Sequence, residues 1–485
     1  MKIKYLLPTV AVVALSSCQQ ETRKPNILFI LVDDMQSDAI AALGNKDTYT
    51  PHIDRLVNEG VTFTQTYTNG ALCGALSMPS RAMLMTGRGV FEIQSDGMKI
   101  PETQITLPEC LRQNGYRTFG TGKWHSDKAS FARSFSEGEN IFFGGMHPYE
   151  TNGHCSPHLH HYDPEGKYDS PPFIGEEFSS KMFADAAIDF LKTAKDNQDP
   201  FMAFVSFTSP HDPRNVSPDY GKKYFSEDLS VPDNFLSEHP FDNGDLDIRD
   251  ELLLPPPRTP EQLKGELALY YAMVSEVDVQ IGRVMDALEK TGKRDNTIIV
   301  FASDNGLAMG QNGLLGKQNL YEHSISVPMS VIDPRRRLKG RKTNALCYLY
   351  DIYPTLCELT GTDIPGSVTG HSLKAVLDGK SDKHREDLFL IYSNQQRALV
   401  KEHYKYIIYN VKGQVTEQLF DLQKDPGETY NLAHEMPEKL IGYKSLLSKR
   451  MAENNDFCKL EEPFWWKDGH KLTWDELIKL YIYEK

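Results

Sequence analysis

Cysteine is scarce in this chain, seven among 485 residues, and no two stand in a CxxC pair. A zinc or thiol-redox site is therefore not indicated. Basic residues are outnumbered: 53 Lys and Arg face 67 Asp and Glu, for a net charge of -14. That balance disfavours a nucleic-acid partner. Beyond the first twenty residues no stretch is long and apolar enough to cross a bilayer. Internal repeats are absent, which excludes a repeat architecture. What remains is a chain 40% hydrophobic and 25% charged, ordinary for a soluble globular protein and long enough for two to three domain-sized units. If so acidic a protein handles an anionic substrate, it needs a locally basic pocket.

The first residues read as a targeting segment. Lys2 and Lys4 precede an apolar run, Leu6 to Leu15, and then Leu15-Ser16-Ser17-Cys18, which resembles a bacterial lipobox. On this reading residues 1–17 are a lipoprotein signal peptide. Cys18 becomes the lipidated first residue of an exported cell-envelope protein, on the periplasmic side or the outer-membrane surface. The alternative is an ordinary signal peptide with an incidental cysteine. Six cysteines are left, Cys73, Cys110, Cys155, Cys347, Cys357 and Cys458, and spacing does not give their pairing.

Short apolar runs that end in polar residues organise the next part. NILFILV (26–32) ends at Asp33-Asp34, FMAFVSF (201–207) at Thr208-Ser209-Pro210-His211, and TIIVFA (297–302) at Ser303-Asp304-Asn305-Gly306. Tyr116 to Gly120 offers a fourth run, followed by Lys123 and His125. Helical patterns over 180–194 and 261–290 alternate with them, the latter opened by a Thr259/Gln262 capping box around Pro260. Buried strands alternating with helices predict an α/β domain with a mostly parallel central sheet flanked by helices. Ligands in such sheets sit beyond the carboxyl ends of the strands. Residues 18–385 are assigned to this catalytic domain. From about Glu386 the strands become short and close together, and a helix follows over 437–451. Residues 386–485 therefore read as a smaller subdomain with a short antiparallel sheet and helix. The Pro-, Asp- and Asn-rich stretch 213–257 reads as a surface excursion over the active-site face.

Three groups of residues carry chemistry. In SMPSRAMLMTGR, Pro79 favours a first helical turn and Gly87 a cap, which puts Ser77 at a helix N-terminus with Arg81 on the same face. Free N–H groups and the helix dipole favour an anion there. Taken alone, the motif reads first as a serine-capped helix with a surface Arg. Asp33-Asp34 and Asp304-Asn305 supply hard oxygens at two strand ends. They read together as a site for calcium or magnesium, although each pair alone is a turn. Lys123 and His125 in GKWH, His211 in SPHDP, and Lys317 in GKQNLYE supply the local positive charge and two proton-transfer groups.

This ordered set resembles the type I, formylglycine-dependent sulfatases of the alkaline phosphatase superfamily, of the serine-type signature found in bacterial carbohydrate sulfatases. NILFILVDD, the Ser77–Arg88 signature, GYRTFGTGKWH, SPHDP, FASDNG, GKQNLYE and LFDLQKDPGETYNL match in the family's order, over about 26–432. The resemblance implies that Ser77 is oxidised to formylglycine by an anaerobic radical maturase. Cys73, followed by Gly74-Ala75 without the proline, is then structural. It also implies one calcium ion held by Asp33, Asp34, Asp304 and Asn305 with residue 77 completing the shell. Arg81, Lys123 and Lys317 would hold the diol or the sulfate oxygens. His211 would protonate the leaving alcohol, and His125 would take the second diol proton to expel sulfate from the formylglycine-sulfate intermediate. Two departures, Ser326 where many relatives have Arg and Ser126-Asp127 after GKWH, touch substrate placement only.

The expected substrate is a sulfated saccharide, of glycosaminoglycan or mucin type. His147, His154, His158, His160 and His161 are expected in a segment over the pocket, as sugar or anion contacts or as a polar surface loop. Asp212 and Arg214 are further candidates for touching the sugar. The other function classes are a phosphomonoester or phosphonate hydrolase of the same superfamily and a non-catalytic glycan-binding lipoprotein. The intact Ser, Lys and His set argues against both.

Overall fold

The computed structural model describes residues 23–456 except 75, 169–170, 217–219, 221–222 and 337, together with the short strand pair at 466–467 and 470–471. The signal-peptide and lipobox reading, Cys18 included, and Cys458 lie outside the described residues. Among those described, no helix is long and apolar enough to cross a membrane, and no cysteine is in a disulfide.

A large sheet dominates. Its order is Arg341–Thr343, Val61–Tyr67, Ser326–Ile332, Thr297–Ser303, Asn26–Val32, Phe201–Ser206, Arg117–Lys123 and Glu137–Phe142. Only Ser326–Ile332 runs antiparallel to both its neighbours; the remaining neighbours in this order are parallel. Asn26–Val32 is buried at every residue, as expected of a strand covered on both faces. Alternate residues feed two cores: Ile27, Phe29 and Leu31 face one, Leu28, Ile30 and Val32 the other. Helices Ser179–Ala194 and Pro260–Lys290 cover the second face. The long helix starts at the expected Thr259/Gln262 capping box, which satisfies N–H groups that the first turn leaves open.

A second sheet holds Gln414–Asp421, Tyr404–Val411, Gln396–Lys401 and Asp387–Tyr392, all antiparallel, and helix Pro437–Glu453 packs on it. Its last member, Gly70–Ala71, comes from the N-terminal part and pairs in parallel with Asp387–Tyr392. Any side chain on Gly70 would collide with the Ile391 carbonyl, since a Cβ there would lie 1.7 Å from that oxygen. This backbone approach fixes the chain just before the Ser77 helix. The C-terminal unit thus buttresses the segment that leads into the Ser77 helix and shares one apolar core with the large sheet.

Candidate active site

Register brings the polar strand ends together. Val32 pairs with Ser303, so Asp33-Asp34 and Asp304-Asn305 leave the sheet side by side. On the other flank, Leu31 pairs with Ser206, and Ser206 with Gly122. The Thr208–His211 segment and Lys123 therefore emerge at the same end. Gly122 (φ 85°) sits so close to Ser206 that a Cβ would lie 1.8 Å from its carbonyl oxygen. Asp34 itself turns through φ 62°. Such a conformation is strained for a residue with a side chain and is concentrated at functional sites. The turn is held by Tyr270 Oη donating to the Asp34 carbonyl at 2.9 Å and by the Met35 N–H donating to Ser303 Oγ at 3.0 Å.

Ser77 opens helix Ser77–Thr86, which Gly87 ends in the left-handed conformation. The helix is buried throughout, Arg81 included. Ser77 Oγ lies 3.2 Å from Asp33 Oδ1 and 2.9 Å from Asn305 Oδ1, and accepts from Lys317 Nζ at 3.2 Å. Around it three carboxylates meet three cations. Lys123 Nζ donates to Asp33 Oδ2 at 2.5 Å, Lys317 Nζ to Asp34 Oδ1 at 2.6 Å, and Arg81 Nε to Asp304 Oδ2 at 2.7 Å. Asn305 Nδ2 donates to Asp34 Oδ1 at 2.7 Å, which leaves its Oδ1 facing Ser77. Arg81 Nη1 is anchored on the Lys123 carbonyl and on Ser206 Oγ. Every predicted catalytic and metal-binding residue is thus in this one cluster or, like His125, on the cavity it opens into.

The donors suit a hard divalent cation such as calcium: three carboxylates, one carboxamide oxygen and the residue 77 oxygen, with no thiol among them. Ligand atoms of Asp33, Asp34 and His211 lie within 4.8 Å of one another. Among the buried polar atoms without a hydrogen-bond partner are two at this site, Arg81 Nη2 and His125 Nδ1. Leaving such an atom unsatisfied costs about 1–3 kcal/mol, which fits a site built to receive a polar, anionic group.

Electrostatics separate the titratable groups. Burial opposes the charged form of Asp33, but Lys123, then Arg81, His211 and Lys317 outweigh it and hold the carboxyl well below its usual range. At Asp304 burial wins over Arg81, and the carboxyl is pushed up to about 6. His125 lines the cavity, and burial, followed by Lys123 and Arg81, drives its pKa well down, so the ring is neutral. His211 is also buried, yet Asp34 leads a set of charges that raise it. The two histidines therefore differ in proton affinity, His125 held low and His211 held high.

A cavity of about 360 Å³ opens onto Ser77, His125, His211 and Lys317. Its outer wall includes Met146, Ile248, Arg249, Asp250 and Gln318. Arg249 and Asp250 come from the 213–257 excursion, which does reach the active-site face. They carried no signal in the sequence beyond lying in that stretch. The histidine-rich segment differs from expectation. His147 and His154 are fully buried behind the His211 loop, and His154 Nε2 donates to the His211 carbonyl at 2.9 Å. His158 contacts Thr151, His160 packs on Phe143 and Tyr168, and His161 pairs with Glu139 at the surface. Arg214 turns away to Glu266. Cys73 sits against Asp96, off the cluster.

Comparisons with known proteins agree with this geometry. A family model described as Sulfatase matches residues 25–362, and one described as the N-sulphoglucosamine sulphohydrolase C-terminal region matches 310–456. A Clostridium perfringens arylsulfatase is 30% identical, with 93% of this chain and 97% of that protein covered. An N-acetylglucosamine-6-O-sulfatase of Bacteroides thetaiotaomicron is 28% identical over 88% of this chain and 86% of its own. The crystal structure of a sulfatase from Bacteroides fragilis superposes with a TM-score of 0.74 at 25% identity, covering 92% of this chain and 100% of that one. Motifs, fold and relatives agree: the chain belongs to the sulfatase family and is a sulfuric ester hydrolase.

Proposed function

We propose that this hydrolase removes sulfate from a saccharide, using calcium and a formylglycine made from Ser77. The observation that carries the reading is the position of Ser77: at a buried helix N-terminus, touching Asp33, Asn305 and Lys317. Asp33, Asp34, Asp304 and Asn305 would hold the calcium. When bound, calcium and the hydrated aldehyde would supply an acidified hydroxyl nucleophile and a second hydroxyl whose deprotonation would let sulfate leave from the first oxygen.

The chain's own residues supply the rest. Lys123 and Lys317, now spent on Asp33 and Asp34, have ammonium groups that can turn to sulfate oxygens once a metal ion neutralises those carboxylates. Arg81 Nη2, which makes no hydrogen bond and lies 3.7 Å from Asp33 Oδ2, can donate to the same oxygens. His211 presents Nε2 towards the cavity to protonate the departing alcohol, and neutral His125 accepts a proton from residue 77. A saccharide as the alcohol is supported by the relative named as an N-acetylglucosamine-6-O-sulfatase.

We also propose export as a lipoprotein anchored through Cys18. Arg23 precedes Asn26–Val32, whereas Asp33 follows it. Seven strand residues span roughly 23 Å, which separates Arg23 from the polar strand ends.

The test is the mass of the Ser77 peptide from protein made alongside a serine-type maturase, then release of sulfate from a panel of defined sulfated saccharides. Loss of two hydrogens at Ser77 with saccharide turnover is expected. Unmodified serine in fully active protein, or preference for phosphate or phosphonate esters, would overturn the reading.

A further inference from the structure

We propose that Asp212 is a positioning residue for the leaving-group acid: its carboxylate, clamped by Arg249 and Tyr149, fixes the His211 ring so that Nε2 faces the cavity. The inference rests on His211 being that acid.

His211 Nδ1 lies 2.7 Å from the Asp212 carbonyl oxygen and 3.1 Å from Asp212 Oδ1. A carbonyl oxygen only accepts, so Nδ1 carries the hydrogen. Nε2, 3.6 Å from Asp34 Oδ2, is the nitrogen left for a substrate. One bond from Nδ1 to a main-chain oxygen would let the ring tilt about it; the second contact, to the carboxylate, removes that freedom.

The carboxylate is held in turn. Arg249 donates through Nη1 to Oδ2 at 2.5 Å and through Nη2 to Oδ1 at 3.1 Å, and Tyr149 Oη donates to Oδ2 at 3.1 Å. Arg249 Nη2 also reaches Asp250 Oδ1 at 2.5 Å, and Asp250 Oδ2 accepts from Gln318 Nε2 at 2.8 Å. Two-pronged pairs of this kind add geometric specificity. Asp212 is 6% exposed, while the Arg249 side chain, 43% exposed, lines the cavity. With both terminal nitrogens spent on carboxylates, Arg249 serves to fix Asp212 rather than to capture a second anion. Behind the loop, His154 holds the His211 main chain. Ring, main chain and carboxylate are each secured by a different element.

Protonation matters for a poor leaving group and little for a good one. The experiment compares kcat on an alkyl sulfate, N-acetylglucosamine 6-sulfate or whichever saccharide of the panel is hydrolysed fastest, with kcat on 4-nitrocatechol sulfate. For Asp212→Ala the expected fall is about 100-fold on the sugar sulfate, the order that a 1 Å misplacement costs, and under about tenfold on the aryl sulfate. Asp212→Asn, which keeps an acceptor at Oδ1, should recover part of the sugar activity. If the alanine variant does not fold, Arg249→Gln should show the same selectivity in weaker form. Equal losses on both substrates, or none on either, would overturn the proposal. His211→Asn separates the two layers. Selectivity there without selectivity at Asp212 refutes the positioning role alone; its absence in His211→Asn refutes the acid and the positioning role together.

Discussion

Replacing Lys123 with methionine tests whether the site is balanced between internal cations and a bound one. Lys123 and Asp33 have side chains with no solvent exposure, and their contact is 2.5 Å. Removing one partner of a buried pair costs about 3–5 kcal/mol, because the other charge is stranded. Here the lower end applies. Asp33 keeps Ser77 Oγ at 3.2 Å and Arg81 Nη2 at 3.7 Å, and methionine fills a similar volume. Lys123→Met should therefore lose about 3 kcal/mol in EDTA, read as a lower urea midpoint. The freed carboxylate is a better calcium ligand, because no ammonium competes for it. The variant should thus gain more from calcium than the parent does. The gap closes by the difference between the two gains, so a variant that binds calcium about 100-fold more tightly than the parent would recover about 2.7 kcal/mol of it in millimolar calcium. Turnover should not recover, since the ammonium for sulfate is gone. An equal deficit with and without calcium would refute a metal site at Asp33; a deficit below about 1 kcal/mol in EDTA would refute the charge balance.

Three further outcomes concern Ser77 and two buried carboxyl groups outside the cluster. Ser77→Ala should abolish sulfate release and leave the thermal midpoint nearly unchanged; retained activity would sink the proposed nucleophile. Burial raises Glu276 from 4.5 to about 7, and its Oε2 has no hydrogen-bond partner. Folding carries no penalty for this group below pH 4.5, a growing one up to about 7, and a constant one above. Glu276→Gln should accordingly match the parent at pH 4 and be up to about 3 kcal/mol more stable at pH 8; a gap that does not change with pH refutes this. Asp351 behaves in the opposite sense. Its burial is outweighed by Arg385 and then His384, so its pKa is depressed. The stability it contributes is present above its unfolded pKa and lost as acid protonates it. Asp351→Asn should cost about 3 kcal/mol at neutral pH and progressively less below pH 4 in the same urea titration, whereas an undiminished cost in acid would contradict the pairing.

What the sequence made legible, and what it hid, divides along one physical line. Motifs at the ends of buried parallel strands could be read because the strand signal is local and the ligand rule for open α/β sheets is general. Asp33, Asp34, Asp304, Asn305, Lys123 and His211 were found that way. Ser77 was readable from its helix start, Pro79 and Gly87. Arg249 and Asp250 were not, because the 213–257 excursion has no periodicity to place individual side chains. The histidines at 147 and 154 were misplaced for a related reason: a polar residue in an irregular segment looks solvent-facing, yet both are buried, with Thr208, Ser179 and the His211 carbonyl as partners. Nor can the sequence show strand order, and strand order is what makes the site. Asn26–Val32 lies between Thr297–Ser303 and Phe201–Ser206, with Arg117–Lys123 next to the latter. The two aspartates therefore have Asp304 and Asn305 on one side and His211 and Lys123 on the other. Had any of these strands exchanged places, the same residues would still end buried strands, but Lys123 could not reach Asp33 nor Arg81 span Asp304 and Ser206. The charge balance at the centre of the predictions is a property of that order, and the Lys123→Met experiment tests the topology as much as the residue.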